Sequence, residues 1–587
     1  MNRQKSKSTF SATLLALIMG VSVFMAGQVW AAKMVKDPST GKMVSKPVYG
    51  GTLTTMLASD IAYWDTYQGA QAAWINSYVY EKLAYGDWAA DRSVYPFTTE
   101  YVPFDAYRGH LIESWEETSP TSFTVKLRQG VHWQNKAPMN GRELVAKDVE
   151  FSYHRMTGLG SGFTKPGPCP SFTGIPWKSI TATDKYTVKV ELKEPNLSAL
   201  PVFITESYDC SWVHPPEVIK KHGDLSDWKT WVGSGPWMIE EHVRDSHVTL
   251  NKNPDYWAHD EKYPENKLPY ADSVVIRIIP DPATQIAALR TGKIDHHWTG
   301  MSVSQVEDLK KTNPEIIAQP LPGWAESAGL RLDFEPFKDI RVRKAMQMAI
   351  DLKAINDNLY GGLGDPTPAG QLGKAVVGYR YPYEEWPQWL RDEYAYNPKK
   401  AKQLLVEAGY PDGFEVTYDF TSVHNPYTGN PELAQVLAAY WSQIGVKTKL
   451  NPLDHATYQA NVNSKSFSPI THFSETWNYD PVATVNIIHS EKSQWTASMA
   501  GKGSRDLYPE HHLLAEMAQA AKTHEEQKFI VKAADKYSIE QHWMVFPGVF
   551  PNFVAYQPWI KGYNGERQLG GGSFFGIISA RVWIDKN

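Results

Sequence analysis

The sequence predicts mixed α/β lobes, two or three in number, and two observations set that expectation. The chain has 587 residues, more than one hydrophobic core ordinarily supports. Alternating strand patterns and 3.6-periodic helix patterns are interleaved from end to end, which is the signature of α/β layers.

The strand readings begin with Phe123, Val125 and Leu127, which alternate with Thr124, Lys126 and Arg128. Tyr186, Val188, Val190 and Leu192 alternate in the same way, so both segments read as half-buried strands. The run VVIRII (274–279) is a more continuously apolar strand, and it leads into Asp281-Pro282, an N-cap followed by proline at the first helical position. The helix PATQIAALRT then stops at Gly292. Asn397-Pro398 opens a second helix in the same manner, and Gly409 ends it. In ELAQVLAAYWSQIG the apolar set Leu433, Val436, Leu437, Tyr440, Trp441 and Ile444 follows a 3.6 period, and Gly445 terminates it. No internal repeat or long charge run interrupts this order.

Composition narrows the function classes. A formal net charge of -5 over this length, with no basic stripe, argues against nucleic acid as partner. Aromatic residues make up 13%, with 22 Trp and 31 Tyr. Such rings suit ligand-contacting surfaces, although most rings in any large domain are packing.

The N-terminus reads as an export signal over residues 1–31. Lys5 and Lys7 precede the apolar run FSATLLALIMGVSVFMAG, and Val29-Trp30-Ala31 fits a small-x-small cleavage pattern. A retained membrane anchor is the alternative, but the run of ~18 residues is shorter than a spanning helix prefers. No cysteine stands at the cleavage point for lipid attachment, so the expectation is a soluble periplasmic protein with no anchor. In that oxidising compartment the only two cysteines, Cys169 and Cys210, read as a disulfide. Its loop of ~41 residues would contribute ~3 to 4 kcal/mol on the chain-entropy account.

Catalytic signatures are missing: there is no Gly-x-Ser-x-Gly, His-Glu-x-x-His, Cys-x-x-Cys or phosphate-cradling glycine loop. The adjacent pairs His296-His297 and His511-His512 point to different faces of a strand, so no metal site and no cofactor is expected. Aromatic clusters stand just beyond apparent strands, where α/β lobes collect ligands. They are Trp64 and Tyr67 in AYWDTYQG, Trp298, Trp324 with Glu326 in PGWAESAG, and Tyr383, Trp386 and Trp389 in a Pro-punctuated loop. The densest is FSETWNYDP (473–481), with Glu475, Trp477, Asn478 and Asp480.

Six segments in fixed order carry a family resemblance: LVAKDVEFSYHRM (144–156), VGSGPWMIEEHVRDSHVTLNKNPDYW (232–257), RTGKID (290–295), FKDIRVRKAMQMAID (337–351), YNPKKAKQLLVEAGYPDGF (396–414) and LAQVLAAYWSQIGVKTKL (433–450). Together they resemble the extracytoplasmic solute-binding proteins of the dipeptide/oligopeptide/nickel class, family 5, which serve ATP-driven importers. The resemblance implies a two-lobed periplasmic binding protein fold with a hinge and an additional subdomain in the first lobe. By similarity the first lobe takes 48–311 plus 549–587, with the subdomain near 78–207, and the second lobe takes 312–548. It also implies a monomer that encloses a small solute and delivers it to permease and ATPase subunits, without covalent chemistry.

Peptide binders of this class often carry Gly-Trp-x-Ala-Asp-Tyr-Pro-Asp-Pro, whose first Asp pairs with the peptide's α-ammonium. Aligned on the final Asp-Pro, this chain has Trp477 in place of that Asp and Ser474 in place of the Trp. An indole there suits a sugar ring, an aromatic compound or a diffuse cation held by a cation–π contact. With Glu475 or Glu326 supplying the missing charge, a short peptide is the second reading. A third, from another class, is a secreted carbohydrate-active hydrolase using Glu475 and Asp480. A fourth is a periplasmic chaperone or sensory partner.

Overall fold

The computed structural model describes residues 34–586, apart from 68–72, 100, 168–171, 173, 206–210, 322–325, 423–428, 474–479, 488–503, 568 and 571–573. Four sheets organise it. In the first, the strands run in the order Trp237–Val243, His247–Lys252, Ser273–Ile278, Thr52–Leu57. The first three pair antiparallel, and Thr52–Leu57 lies parallel to Ser273–Ile278. The alternation seen around residues 123 and 188 builds a second, wholly antiparallel sheet of Ile112–Ser119, Ser122–Leu127, Thr187–Leu192 and Trp177–Ala182. Helix Ala146–Thr157 packs beside it, and Asp148 reaches back to the Val145 N–H at its start. One continuous apolar cluster fills the space under both sheets.

The motif Gly233-Ser234-Gly235-Pro236 is scaffold, and the reason is steric. A Cβ on Gly233 would stand 1.7 Å from the Val79 carbonyl oxygen, and one on Gly235 2.6 Å from it. Only glycine lets the two backbones meet so closely. Gln134 Oε1 accepts from Gly233 N–H at 3.0 Å, and Asn253 Nδ2 donates to the Gly235 carbonyl at 3.2 Å. The neighbouring Tyr256 and Trp257 donate to the fully buried Glu81, at 2.7 and 3.3 Å, so the two halves of the motif lock onto one core.

The third sheet joins distant parts of the chain. Asn552–Tyr556 lies between His296–Met301 and Ile317–Leu321, antiparallel to both. The chain therefore leaves this sheet after Leu321 and returns to it at Asn552, two adjacent crossings to the second lobe.

The second-lobe sheet has the order Lys447–Leu453, Glu415–Thr421, Ile470–His472, Ala328–Leu330, Met544–Val545. The first three are parallel, and Ala328–Leu330 is antiparallel to both its neighbours. Helix Pro431–Ser442 covers it: of the predicted apolar set Leu433, Leu437, Trp441 and Ile444 are buried, Val436 and Tyr440 are partly buried, and Ala434 joins the buried face. The proline-led helices also appear, at Pro282–Arg290 capped by Asp281 and at Pro398–Glu407 capped by Asn397. A further apolar cluster runs from Leu372 to Ala534, and Tyr101 and Leu197, distant in sequence, pack against it.

Candidate functional site

Register places one edge of the second-lobe sheet at the centre of the site. His472 pairs with Ala328, and Ala328 pairs with Val545. The carboxyl ends of the parallel strands therefore lie beside Glu326-Ser327 and Phe546, and this is the edge where open α/β sheets hold ligands. The segment FSETWNYDP leaves from that edge: the Phe473 N–H donates to the Ser327 carbonyl at 2.9 Å. Residues 474–479 lie outside the described residues, so Glu475, Trp477 and Asn478 do too. Trp324, Cys169 and Cys210 also fall outside them.

Asp480, where the description resumes, begins helix Pro481–Ile487. Its Oδ1 accepts from Ala483 N–H at 2.6 Å and its carbonyl from Thr484 N–H at 2.9 Å. Its charge is felt by three phenols. Burial first, then its neighbours including Asp480, pushes Tyr379 up to about 12, and the same two causes raise Tyr101 and Tyr107. Tyr379 lies far along the chain from Tyr101 and Tyr107. Tyr101 and Tyr379 both pack against the apolar cluster that includes Val482 and Val485, just beyond Asp480.

Glu326 is 2% exposed. Its Oε2 accepts from the Tyr360 O–H at 2.9 Å and from Asn430 Nδ2 at 2.7 Å. Asn430 Oδ1 in turn accepts from the Leu433 N–H, capping helix Pro431–Ser442. Glu326 thus fastens the first crossing to the second lobe's helices.

The remaining expected residues lie in the first lobe. Trp298 stands in a bulge of the hinge strand between His297 and Met301, the device that re-aims a side chain. Its Nε1–H donates to the Met56 carbonyl at 2.9 Å, and its ring meets Trp74 edge-on at 5.1 Å. Trp64 is enclosed by Trp228, Trp231 and His242, with ring centroids 5.0 to 6.2 Å away, and its contacts are those of a core residue. Tyr67 is half-buried beneath Arg155, whose Cζ lies 4.1 Å from the ring centroid. Trp64 and Tyr67 thus take their ring contacts from Trp228, Trp231, His242, Arg155 and His214. Of the aromatic loop, Trp386 is buried against Tyr381 and Tyr394, while Trp389 is 51% exposed.

Tyr101, Tyr107, Tyr360, Tyr379 and Asn430 escape sequence reasoning. Tyr379 precedes Tyr381 and Tyr383 at the edge of the Pro-punctuated aromatic loop, but only the fold joins residue 101 to 379. Asn430-Pro431 repeats the asparagine-proline helix start at Asn397-Pro398, the one signal that marks Asn430 in advance.

The comparisons agree with this architecture. The profile of the bacterial extracellular solute-binding proteins, family 5 Middle, matches residues 106–495. Heme-binding protein A of Haemophilus influenzae is 28% identical over 368 residues, 60% of this chain and 62% of that protein. Glutathione-binding protein GsiB of Salmonella typhimurium is 28% identical over 347 residues, 59% of this chain and 60% of that protein. The chain thus spans less than two thirds of the length of these curated relatives. The periplasmic binding protein DppA of Helicobacter pylori, solved in complex with the peptide STSA, superposes with a TM-score of 0.71 at 23% identity, over 92% of this chain and 99% of that one. With the profile spanning well over half of the residues and the two-lobed architecture shared, the chain belongs to the bacterial extracellular solute-binding proteins, family 5.

Proposed function

We propose that the protein is the solute-capturing component of an ATP-driven importer, working in the periplasm after cleavage near Ala31. It encloses a small organic solute between its lobes as a monomer, carries out no covalent chemistry, and presents the closed shape to a permease with its ATPase subunits. The observation that carries this reading is the seam around Asp480, where Tyr101 and Leu197 of one lobe pack on the cluster of the other. Closure of that kind couples binding to a shape a partner recognises. The lobe limits follow the sequence reading, with the hinge between the 296–321 strands and the sheet of 328–545. Cys169 and Cys210 form a disulfide in the exported protein, which peptide mapping without reductant would test.

The solute carries a cationic or aromatic group, or a sugar ring. Trp477 at the position of the class's ammonium-pairing Asp supports this. A short peptide is the second reading. It is favoured by the relatives named for glutathione and for a bound tetrapeptide, and by Glu326 at the same edge.

A thermal-shift panel of peptides, sugars, amines and opine-like conjugates tests the function. We expect one class to raise the unfolding midpoint; a flat response across the whole panel would defeat the receptor reading. Replacing Trp477→Ala should weaken the best ligand by ~1 to 3 kcal/mol while leaving stability unchanged. Turnover of chromogenic glycosides, lost in Glu475→Gln, would favour the hydrolase instead.

A further inference from the structure

Beyond the carboxyl end of strand Thr52–Leu57, the segment holding Asp65 and Tyr67 meets helix Ala146–Thr157 and the chain at His214. Asp65 is 1% exposed and Arg155 7%. Arg155 Nη2 donates to Asp65 Oδ2 at 2.5 Å, and the Leu225 N–H reaches the same oxygen at 3.0 Å. Asp65 Oδ1 accepts from the Tyr67 N–H at 3.1 Å. The ion pair is therefore satisfied on the carboxylate side.

The other side is not satisfied. Arg155 Nη1, the hydroxyls of Tyr67 and Tyr80, and His214 Nε2 are all enclosed, and none makes a hydrogen bond. They are neighbours: Arg155 lies over the Tyr67 ring, Tyr67 meets His214 edge-on at 6.4 Å, and His214 meets Tyr80 at 5.0 Å. Glycine at 167 closes the group, since a Cβ there would stand 2.0 Å from the Tyr67 ring. Enclosed polar atoms without partners are costly, and native structures rarely keep four together.

We infer that the first lobe holds a second binding site, between Arg155, Tyr67, Tyr80 and His214, for a small uncharged molecule that accepts a hydrogen bond from the guanidinium. The charge balance selects neutrality. Asp65 cancels Arg155, and burial followed by the Arg155 charge pushes the His214 imidazole down to about 3, so it is uncharged at any physiological pH. Arg155 Nη1 supplies only a donor, whereas the hydroxyls both give and take. Ordered water and a compact amide or alcohol share this chemistry. The site uses none of the groups at the Asp480 seam and stands independently of the receptor reading.

The test pairs a high-resolution crystal structure of the mature full-length protein, grown without small organic additives, with the thermal midpoints of Tyr67→Phe and Tyr80→Phe. An occupied site predicts density within hydrogen-bond reach of Arg155 Nη1, and a fall of about 1 to 2 °C in both midpoints, because each variant strips a partner from the bound molecule. Native mass spectrometry separates the sources: added mass released on unfolding identifies a solute, and none identifies water. Unchanged or raised midpoints would overturn the proposal, since deleting an unpaired buried hydroxyl relieves a penalty. So would density showing Nη1 bonded to a protein atom.

Discussion

Tyr360 ties together the two chain crossings of this protein: its O–H donates to Glu326 on the first crossing at 2.9 Å, and its ring stacks on Phe550 of the second at 3.6 Å and 4°. Gln347 grips the second crossing as well, bonding both the N–H and the carbonyl of Phe546. Glu326 on the first crossing and Phe546 and Phe550 on the second are thus held by side chains of neighbouring helices. Tyr360→Phe should cost ~1 to 3 kcal/mol in urea unfolding, because Glu326 stays buried with one donor fewer. Solution scattering should show a wider spread of lobe angles in the same variant. An unaltered profile would mean that Tyr360 serves packing alone.

The subdomain latch gives a second expectation. Among the described residues, Tyr101 and Leu197 pack on the cluster that contains Val482 and Val485. Tyr101→Ala combined with Leu197→Ala should lower ligand affinity about tenfold, or ~1.4 kcal/mol. It should also enlarge the radius of gyration of the ligand-bound protein. Affinity equal to that of the parent would show that closure does not need the latch.

Trp64 provides the contrast. Enclosed among Trp228, Trp231 and His242, it should behave as core, so Trp64→Ala should cost ~3 to 5 kcal/mol of stability. Calorimetric titration of the fraction that remains folded should give the parent's affinity. A loss of affinity without a loss of stability would instead return Trp64 to the ligand site.

Asp535 predicts an unusual pH dependence. It is fully buried, and its two oxygens accept from the Leu372 and Tyr381 N–H groups at 3.1 and 2.8 Å. Burial outweighs these donors and nearby Arg380 and pushes the carboxyl up to about 6. The folded protein therefore keeps a proton that the unfolded chain releases near 3.8, so this group's contribution falls as pH rises from 3.8 to about 6 and is constant above. The total is ~3 kcal/mol. Denaturant midpoints at pH 4.5 and 7, compared between the parent and Asp535→Asn, isolate this slope from that of the other carboxylates. Parallel pH profiles for the two proteins would refute it.

Legibility followed the range of the interactions. Asp281-Pro282, Asn397-Pro398 and the period of residues 433–444 announce helices because capping and amphipathic spacing are local. The scaffold motif at Gly233 to Trp257 is legible for a related reason: a backbone approach that admits only glycine leaves its mark on residue identity. Of the residues expected at the site, Glu326 is a buried partner of Tyr360 and Asn430, and Asp480 opens a helix, neither of which a strand-end position announces. Trp64 shows the limit, since an indole past a strand end looks the same in sequence whether it faces a cleft or three other rings.

By itself, then, the sequence determined the α/β class, the family and the local elements, all of which rest on contacts within about twenty residues or on strict steric exclusions. The tertiary structure alone decided that Tyr101 packs on the cluster holding Val482, that Glu326 is a buried fastening between crossing and helix, and that Tyr67 meets both Arg155 and His214. Those facts depend on side chains hundreds of residues apart, and the free energy that joins them is shared over whole packed surfaces and written in no single segment.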